Sequence, residues 1–465
     1  MPKLEAAAPP VFKSALDLIG RTPLVELTRL DTGRCRLFLK LENQNPGGSI
    51  KDRIALSMIA AAEADGRLGP GSTIIEATAG NTGLGLAQVA TLKGYRLILV
   101  VPDKMAREKI LHLRAMGVDV RLTRSDVGKG HPEYYQDMAQ AIAQQTGAFY
   151  VNQFENPANP AAHETGTGPE ILDQMDGDVD AVVVGVGSGG TLTGIGRFMR
   201  RASPKTRMVL ADPAGSILAD YVATGRIGEA GSWAVEGIGE DFIPANAQMD
   251  LVSKAYSIPD KESVETCRLL LRAEGILAGS STGALLAAAL RYCREQAEPR
   301  RVVTLACDTG GKYLTKVFND IWVAAQGYDQ REMHGDLRDL IAKRYSEGGV
   351  IAIGPDDTLL TAYNRMRSAD ISQLPVVDDG RLVGILDESD ILAAVEGGDQ
   401  RRAERFKSPV SQAMTHSVRT LQADQPIESL LDVFDRDEVA VVLEGEAFMG
   451  LITRVDLINH LRLNA

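Results

Sequence analysis

Cysteine is scarce in this 465-residue chain, which has only Cys35, Cys267, Cys293 and Cys307. None stands in a Cys-x-x-Cys pair, and no histidine sits at zinc-finger spacing. A disulfide framework and a structural metal are therefore not expected, and a reducing, cytoplasmic setting fits. Long apolar runs are also missing. The apolar stretches are short and read as buried strands, far from the ~20 residues of a membrane span. The start, MPKLEAAAPPVFKSALDLIG, has no long apolar core behind a basic segment, so no export signal is expected. Positive charge is in deficit: Lys plus Arg is 50, Asp plus Glu is 62, and the net charge is -12. That argues against DNA or another polyanion as the main partner. Most of the acidic excess lies in residues 331–465, while residues 1–330 are nearly balanced, which hints at two modules with different surfaces. What remains is ordinary for a globular protein, 44% hydrophobic and 24% charged. At ~150 residues per domain the length suggests about three units.

Residues 35–330 alternate short apolar strands with helical patterns. RLFLKLE (36–42), TIIEA (73–77), LILVVP (97–102), FYVNQF (149–154), AVVVGVG (181–187), MVLAD (208–212) and VVTLACD (302–308) read as strands. They are almost continuously apolar, as expected where both faces of a sheet are covered. Helical stretches such as KDRIALSMIAAAEADG, GNTGLGLAQVATLKG, AREKILHLRAMG, PEYYQDMAQAIAQQTG and STGALLAAALRYCREQ separate them, several ending in Gly. The alternation predicts an α/β fold with a parallel sheet, in two lobes.

Four segments carry chemistry. NQNPGGSIKDRIA (43–55) brings Lys51 to the start of a helix, where the dipole and partial burial lower a lysine's pKa and suit it to imine chemistry. The alternative is a surface lysine paired with an acid. IIEATAGNTGLGLA (74–87) is a strand, a loop and a helix, and the loop offers N–H groups, hydroxyls and an amide to a carboxylate. A plain strand–helix turn has a similar composition. AVVVGVGSGGTLTGIGRFMRR (181–201) runs a strand into a glycine-rich phosphate cradle, and Gly185, Gly187 and Gly190 with Asp212 also fit a dinucleotide fingerprint. GILAGSSTGALLAAAL (275–290) places Ser280, Ser281 and Thr282 at a helix start, where capping alone explains them.

Taken in this order, with NQFENPANPAAH (152–163) and EGIGEDFIP (236–244), the segments resemble the fold-type II pyridoxal-phosphate enzymes, in the group of cystathionine β-synthases and cysteine synthases, over residues ~12–326. The resemblance implies a two-lobed, tryptophan synthase β-like catalytic domain holding pyridoxal 5'-phosphate, and it displaces the dinucleotide reading. It implies Lys51 as the lysine that bears the cofactor. Gly187, Ser188, Gly189, Gly190 and Thr191 become the phosphate loop, Asn81 the partner of the ring hydroxyl, and Ser280 the hydroxyl facing the ring nitrogen. Thr78, Ala79, Gly80, Thr82 and Gln153 become the grip on a substrate carboxylate. Ala79 stands where many relatives have Ser, and Glu240 where animal cystathionine β-synthases have Tyr, which bears on substrate choice.

Beyond residue 328 the composition turns polar, then repeats. SQLPVVDDGRLVGILDESDIL (372–392) and DEVAVVLEGEAFMGLITRVDLI (437–458) align so that Gly384 and Gly450, and Asp390 and Asp456, are each 66 residues apart. The copies resemble CBS domains paired as an α+β Bateman module. The expected organisation is a catalytic domain at 1–328, a linker at 329–345, and CBS domains at 346–398 and 408–465. Thr453 and Asp456, with Asp390 in the first copy, are the candidate contacts to an adenosyl ligand, S-adenosylmethionine or an adenine nucleotide. Asp387 replaces the usual Thr in the first copy, so the two sites are expected to differ. The other reading of the tail is a bracing or dimerising module.

The resemblance implies condensation of L-serine with L-homocysteine to L-cystathionine and water, with hydrogen sulfide production as a side activity. The rivals are a cysteine synthase using O-acetylserine and sulfide, and a catalytically silent nucleotide sensor. A homodimer or higher homo-oligomer is the family expectation. No haem is expected, since no Cys precedes Cys35 and no His precedes His112.

Overall fold

The apolar runs fold as strands, and most of them stop short of where the hydrophobicity ends. A computed structural model describes residues 11–463 other than 79, 104, 106, 330, 331, 397–401 and 437, and without the side chains of 107, 108 and 463. The chain divides into two units, Met1–Phe318 and Asn319–Ala465. The first contains strands β1 (Leu24–Leu27), β2 (Arg36–Lys40), β3 (Thr73–Ala77), β4 (Arg96–Pro102), β5 (Asp119–Thr123), β6 (Phe149–Tyr150), β7 (Ala181–Val184), β8 (Arg207–Pro213), β9 (Val252–Ile258) and β10 (Arg301–Leu305). Its helices are α1 (Lys51–Ala64), α2 (Asn81–Lys93), α3 (Arg107–Ala115), α4 (Tyr135–Thr146), α5 (Ala158–Ala162), α6 (Gly168–Gln174), α7 (Gly190–Ala202), α8 (Leu218–Thr224), α9 (Asp260–Glu274) and α10 (Ser280–Arg294).

Two sheets define two lobes of this unit. One has the order β1-β2-β10-β7-β8-β9, parallel except for β1, and the other the order β5-β4-β3-β6, wholly parallel. In the larger sheet β7 leads outward to β8 and β9, while its other neighbour β10 leads to β2. In the smaller sheet β3 leads to β4 and β5, with β6 on its other side. Such switch points leave a crevice beyond the carboxyl ends of the strands, the usual ligand position in open α/β sheets. The lysine loop follows β2, the GNTG loop β3, Gln153 β6 and the glycine loop β7. Strands β7 and β10 are almost wholly buried, with Val182, Val183, Val302 and Val303 in the largest core cluster.

In the second unit the repeats fold alike. β11 (Gln373–Asp378) pairs antiparallel with β12 (Arg381–Asp387), and β14 (Ala440–Glu444) with β15 (Ala447–Ile452), with β13 (Thr420–Gln422) added in parallel to β14. Gly384 and Gly450 occupy equivalent positions opposite Val376 and Val442, and the register shifts just beyond each pair. Each copy thus bends at a bulge beside its glycine. Leu337, Leu340 and Ile341, which lie within the range expected as a linker, are buried with Ala440, Val442 and Ile452 of the second copy.

Candidate active site

Lys51 is the first residue of α1. The turn before it depends on two glycines. Gly48 has a φ of +76°, and a Cβ on Gly47 would stand 2.5 Å from Asp52 Oδ1. That closeness lets Gly47 N donate to Asp52 Oδ2 at 2.6 Å, and burial raises the Asp52 pKa to about 6. Two residues on, Arg53 donates to Glu42 Oε2 and to Glu170 Oε2, both at 2.7 Å, while Lys40 Nζ donates to Glu170 Oε2 at 2.7 Å. This buried ion network ties the lysine-bearing helix to β2 and α6. Lys51 Nζ makes no hydrogen bond or ion pair among the described residues. Burial lowers its pKa, with Asp308 and Glu240 acting in the opposite direction.

The glycine loop is crowded behind and open in hydrogen bonding. A Cβ on Gly187 would lie 2.5 Å from Gly237 O, one on Gly189 2.6 Å from Ala247 N, and one on Gly190 1.8 Å from Asn159 Oδ1. Gly189 also has a φ of +86° and is the N-cap of α7. Among the described residues, none of the backbone N–H groups of 187–191 finds a protein acceptor. Several converging N–H groups at a helix N-terminus form an anion site. Ser188 Oγ accepts from Asn159 Nδ2 at 2.9 Å, which keeps its own O–H free to donate. Thr191 Oγ1 lies 3.4 Å from Nε2 of His163, whose imidazole burial holds neutral. Asp212, the acidic end of the dinucleotide fingerprint, is buried and accepts from Ala219 N at 2.8 Å at the start of α8.

Thr78, Gly80, Asn81 and Thr82 line the loop and first turn of α2; Ala79 lies outside the described residues. Gly80 N donates to Thr78 Oγ1 at 3.2 Å, and Thr82 Oγ1 donates to Gln153 Oε1 at 2.7 Å. The structure thus brings Gln153 onto this loop from the other side of the smaller sheet. Gln153 Nε2 donates to Ala77 O at 3.3 Å and Glu76 Oε1 at 3.4 Å. Glu76 is fully buried, and desolvation raises its pKa to about 8. The backbone N–H groups of 81 and 82 have no acceptor among the described residues, so the loop retains donors for a carboxylate.

Ser280 begins α10, and its Oγ accepts from Glu236 N at 3.1 Å. Its O–H is left to donate. Glu236 in turn receives Lys109 Nζ at 2.6 Å and Lys316 Nζ at 2.7 Å. The segment after β10 was not foreseen as part of the site. Asp308 is fully buried, and its Oδ2 accepts from Asn81 Nδ2 and from Tyr313 Oη, both at 2.7 Å. Lys312 Nζ donates to Asn81 Oδ1 at 2.9 Å. In the sequence, an acid at 308 and a lysine at 312 flank a Thr-Gly-Gly turn after the apolar run, with nothing there to link them to Asn81.

In the second unit, Thr453 and Asp456 open a helix (Arg454–Leu463 by its regular bounds), where Asp456 Oδ2 accepts from both the N–H and Oγ1 of Thr453 at 2.7 Å. In the first copy Asp387 and Asp390 form a reciprocal cap at the start of the helix Glu388–Val395. Among the described residues, no group of three or more His, Cys, Asp or Glu suits a metal ion, and no helix is long and apolar enough to cross a membrane.

Residues 15–308 match the model of the family described as pyridoxal-phosphate dependent enzyme. The chain belongs to that family and is a pyridoxal-phosphate-dependent lyase. Residues 342–397 and 410–463 match the CBS domain model, so two CBS domains follow the catalytic region. The cystathionine beta-synthase of Apis mellifera is 32% identical, with the match covering 98% of this chain and 92% of that protein. The cysteine synthase of Staphylococcus aureus is 40% identical, with the match covering 64% of this chain and 94% of that protein. The crystal structure of an O-ureido-L-serine synthase superposes with a TM-score of 0.63 at 36% identity, covering 70% of this chain and 98% of that one.

Proposed function

We propose that this enzyme forms L-cystathionine from L-serine and L-homocysteine by replacing the β-hydroxyl with the thiol. The single observation behind the cofactor chemistry is that the backbone N–H groups of 187–191, at the start of α7, have no acceptor among the described residues, while Lys51 Nζ has no hydrogen-bond partner there either. The residues fit pyridoxal phosphate: the 187–191 loop with Ser188 and Thr191 would hold its phosphate, Lys51 would bear it, and Asn81 and Ser280 would face its ring. When bound, the cofactor supplies the electron sink that makes a substrate's Cα–H acidic and lets its β-substituent leave.

The chain's own groups do the rest. Thr78, Gly80 and Thr82, with the N–H groups of 81 and 82, orient the substrate carboxylate, and Gln153 holds Thr82 in place. Lys51 Nζ, whose pKa burial lowers, takes the Cα proton and returns a proton to the departing hydroxyl, which leaves as water. The thiol gives its proton to Lys51 as its sulfur bonds to Cβ, and Lys51 returns that proton to Cα. Ser280, a donor with no charge, matches an unprotonated ring nitrogen, which favours β-substitution over transamination.

Cystathionine is preferred as product because the relatives of that name match through the CBS domains. Cysteine synthesis from O-acetylserine and sulfide is the second reading, favoured by the higher identity of the cysteine synthase over the catalytic region. A purified-enzyme assay offering both substrate pairs decides between them: cystathionine as the dominant product is expected, and cysteine with no cystathionine would sink the first reading. Lys51→Ala is expected to lower turnover by at least ~10³-fold and to abolish the visible imine absorbance; an unchanged spectrum would remove Lys51 from its role.

For the tail the reading is an adenosyl ligand at the second copy. Asp456 Oδ2 serves the helix cap and Oδ1 is left for a ribose, whereas the first copy sets two carboxylates, Asp387 and Asp390, side by side. Calorimetric titration with S-adenosylmethionine and adenine nucleotides is expected to show binding that Asp456→Ala abolishes; no heat with any of them leaves a bracing role.

A further inference from the structure

We propose that Asp308 and Lys312 are positioning residues that clamp the Asn81 carboxamide at both ends and so fix which of its groups faces the bound cofactor. The inference rests on the cofactor reading above. Lys312 Nζ donates to Asn81 Oδ1 at 2.9 Å, and Asn81 Nδ2 donates to Asp308 Oδ2 at 2.7 Å. A primary amide has one acceptor oxygen and two N–H donors. Turning it over would set the NH₂ against an ammonium and the carbonyl against a carboxylate, so the two charges select one orientation. One Nδ2–H is left over, and a ligand is its available partner.

The clamp is built into the interior. Asp308 is fully buried and Lys312 nearly so. Asp308 Oδ2 is also held by Tyr313 Oη at 2.7 Å, and Tyr313 Oη accepts from Lys109 Nζ at 3.1 Å. Asp308 Oδ1 is buried without a hydrogen-bond partner and packs where a Cβ on Gly279 would come within 2.1 Å. Lys312 Nζ reaches further, donating to Gly47 O at 3.0 Å. One ammonium therefore connects the turn that presents Lys51 with the amide at the start of α2. These partners come from loops after β2, β3 and β10, far apart in sequence. Local helix capping does not account for them. Charge-assisted bonds in a low-dielectric interior are strong enough to hold such an alignment.

The test compares holoenzymes carrying Lys312→Met, Lys312→Arg, Asp308→Asn and Asn81→Ala. The readouts are the visible absorbance and circular dichroism of bound pyridoxal phosphate and its dissociation constant. Lys312→Met and Asp308→Asn are expected to shift the visible band and weaken cofactor retention by roughly tenfold, about the loss of one charge-assisted hydrogen bond. Lys312→Arg should restore both, and Lys312→Met should add nothing in the Asn81→Ala background. A wild-type band and retention in Lys312→Met, with both altered in Asn81→Ala, overturns the clamp and leaves the cofactor reading standing. Unchanged behaviour in Asn81→Ala overturns that reading of Asn81, and the clamp with it. Should Lys312→Met fail to fold, Lys312→Gln, a neutral donor of shorter reach, makes the same comparison, and a wild-type spectrum in it likewise overturns the clamp.

Discussion

Glu76 is a carboxyl in the interior with no cation beside it among the described residues, and it accepts from the amide groups of Gln153 and nearby backbone. Its folded pKa, about 8, lies above the ordinary value, so the folded state binds the proton more tightly. Stability from this source is fully present below about pH 4.5 and is lost as pH rises through 8. The wild-type chain should therefore lose of order 3 kcal/mol between pH 5 and 8 that Glu76→Gln retains. Urea melts at the two pH values measure it, and equal slopes in both proteins would refute the buried neutral carboxyl. Gly189 makes a second residue-scale prediction. Its left-handed backbone and its 2.6 Å approach to Ala247 N leave no room for a methyl group. Gly189→Ala should cost about 1–2 kcal/mol in strain and weaken pyridoxal phosphate retention more than tenfold, read by fluorescence titration.

Among elements, the ion network under α1 governs acid behaviour. Burial acts to raise the Glu170 pKa, but its bonds to Arg53 and Lys40 win and hold it at about 2. Its contribution is complete above the unfolded value near 4.5 and disappears as pH falls toward 2. Stability should drop by about 2 kcal/mol between pH 6 and 3, and Glu170→Gln should flatten that drop while being less stable at pH 7. Denaturant midpoints across this range test it. The elements also show what was legible in the sequence. The central strands were, because burial on both faces writes itself as unbroken hydrophobicity. The missed strands β1, β5 and β9 are all sheet edges: β5 reads Asp-Val-Arg-Leu-Thr and keeps mainly Thr123 buried. The runs 149–154, 181–187 and 302–308 overran their strands by three or four residues because the chain stays largely buried while it lines the crevice. All four chemistry-bearing loops were visible as motifs. Asp308 and Lys312 were not, since a pair of opposite charges gains its meaning only when folding brings Asn81 between them.

At the scale of the molecule, each unit has its own buried clusters: Val183, Leu210 and Leu285 belong to the first, and Leu374, Val376 and Ile391 to the second. Calorimetry of the full chain should resolve two transitions, with added pyridoxal phosphate raising only the one that belongs to residues 1–318. A single transition, or a shift of both, would show that the units unfold as one.

The unpaired N–H groups of 187–191 have one more effect. Donors without acceptors leave a helix start unsettled until an anion completes it. A chain newly released from the ribosome and not yet loaded is then the form a protease opens most readily, and loading converts it into a durable one. The cellular abundance of this enzyme should follow vitamin supply through degradation, independently of any change in its synthesis.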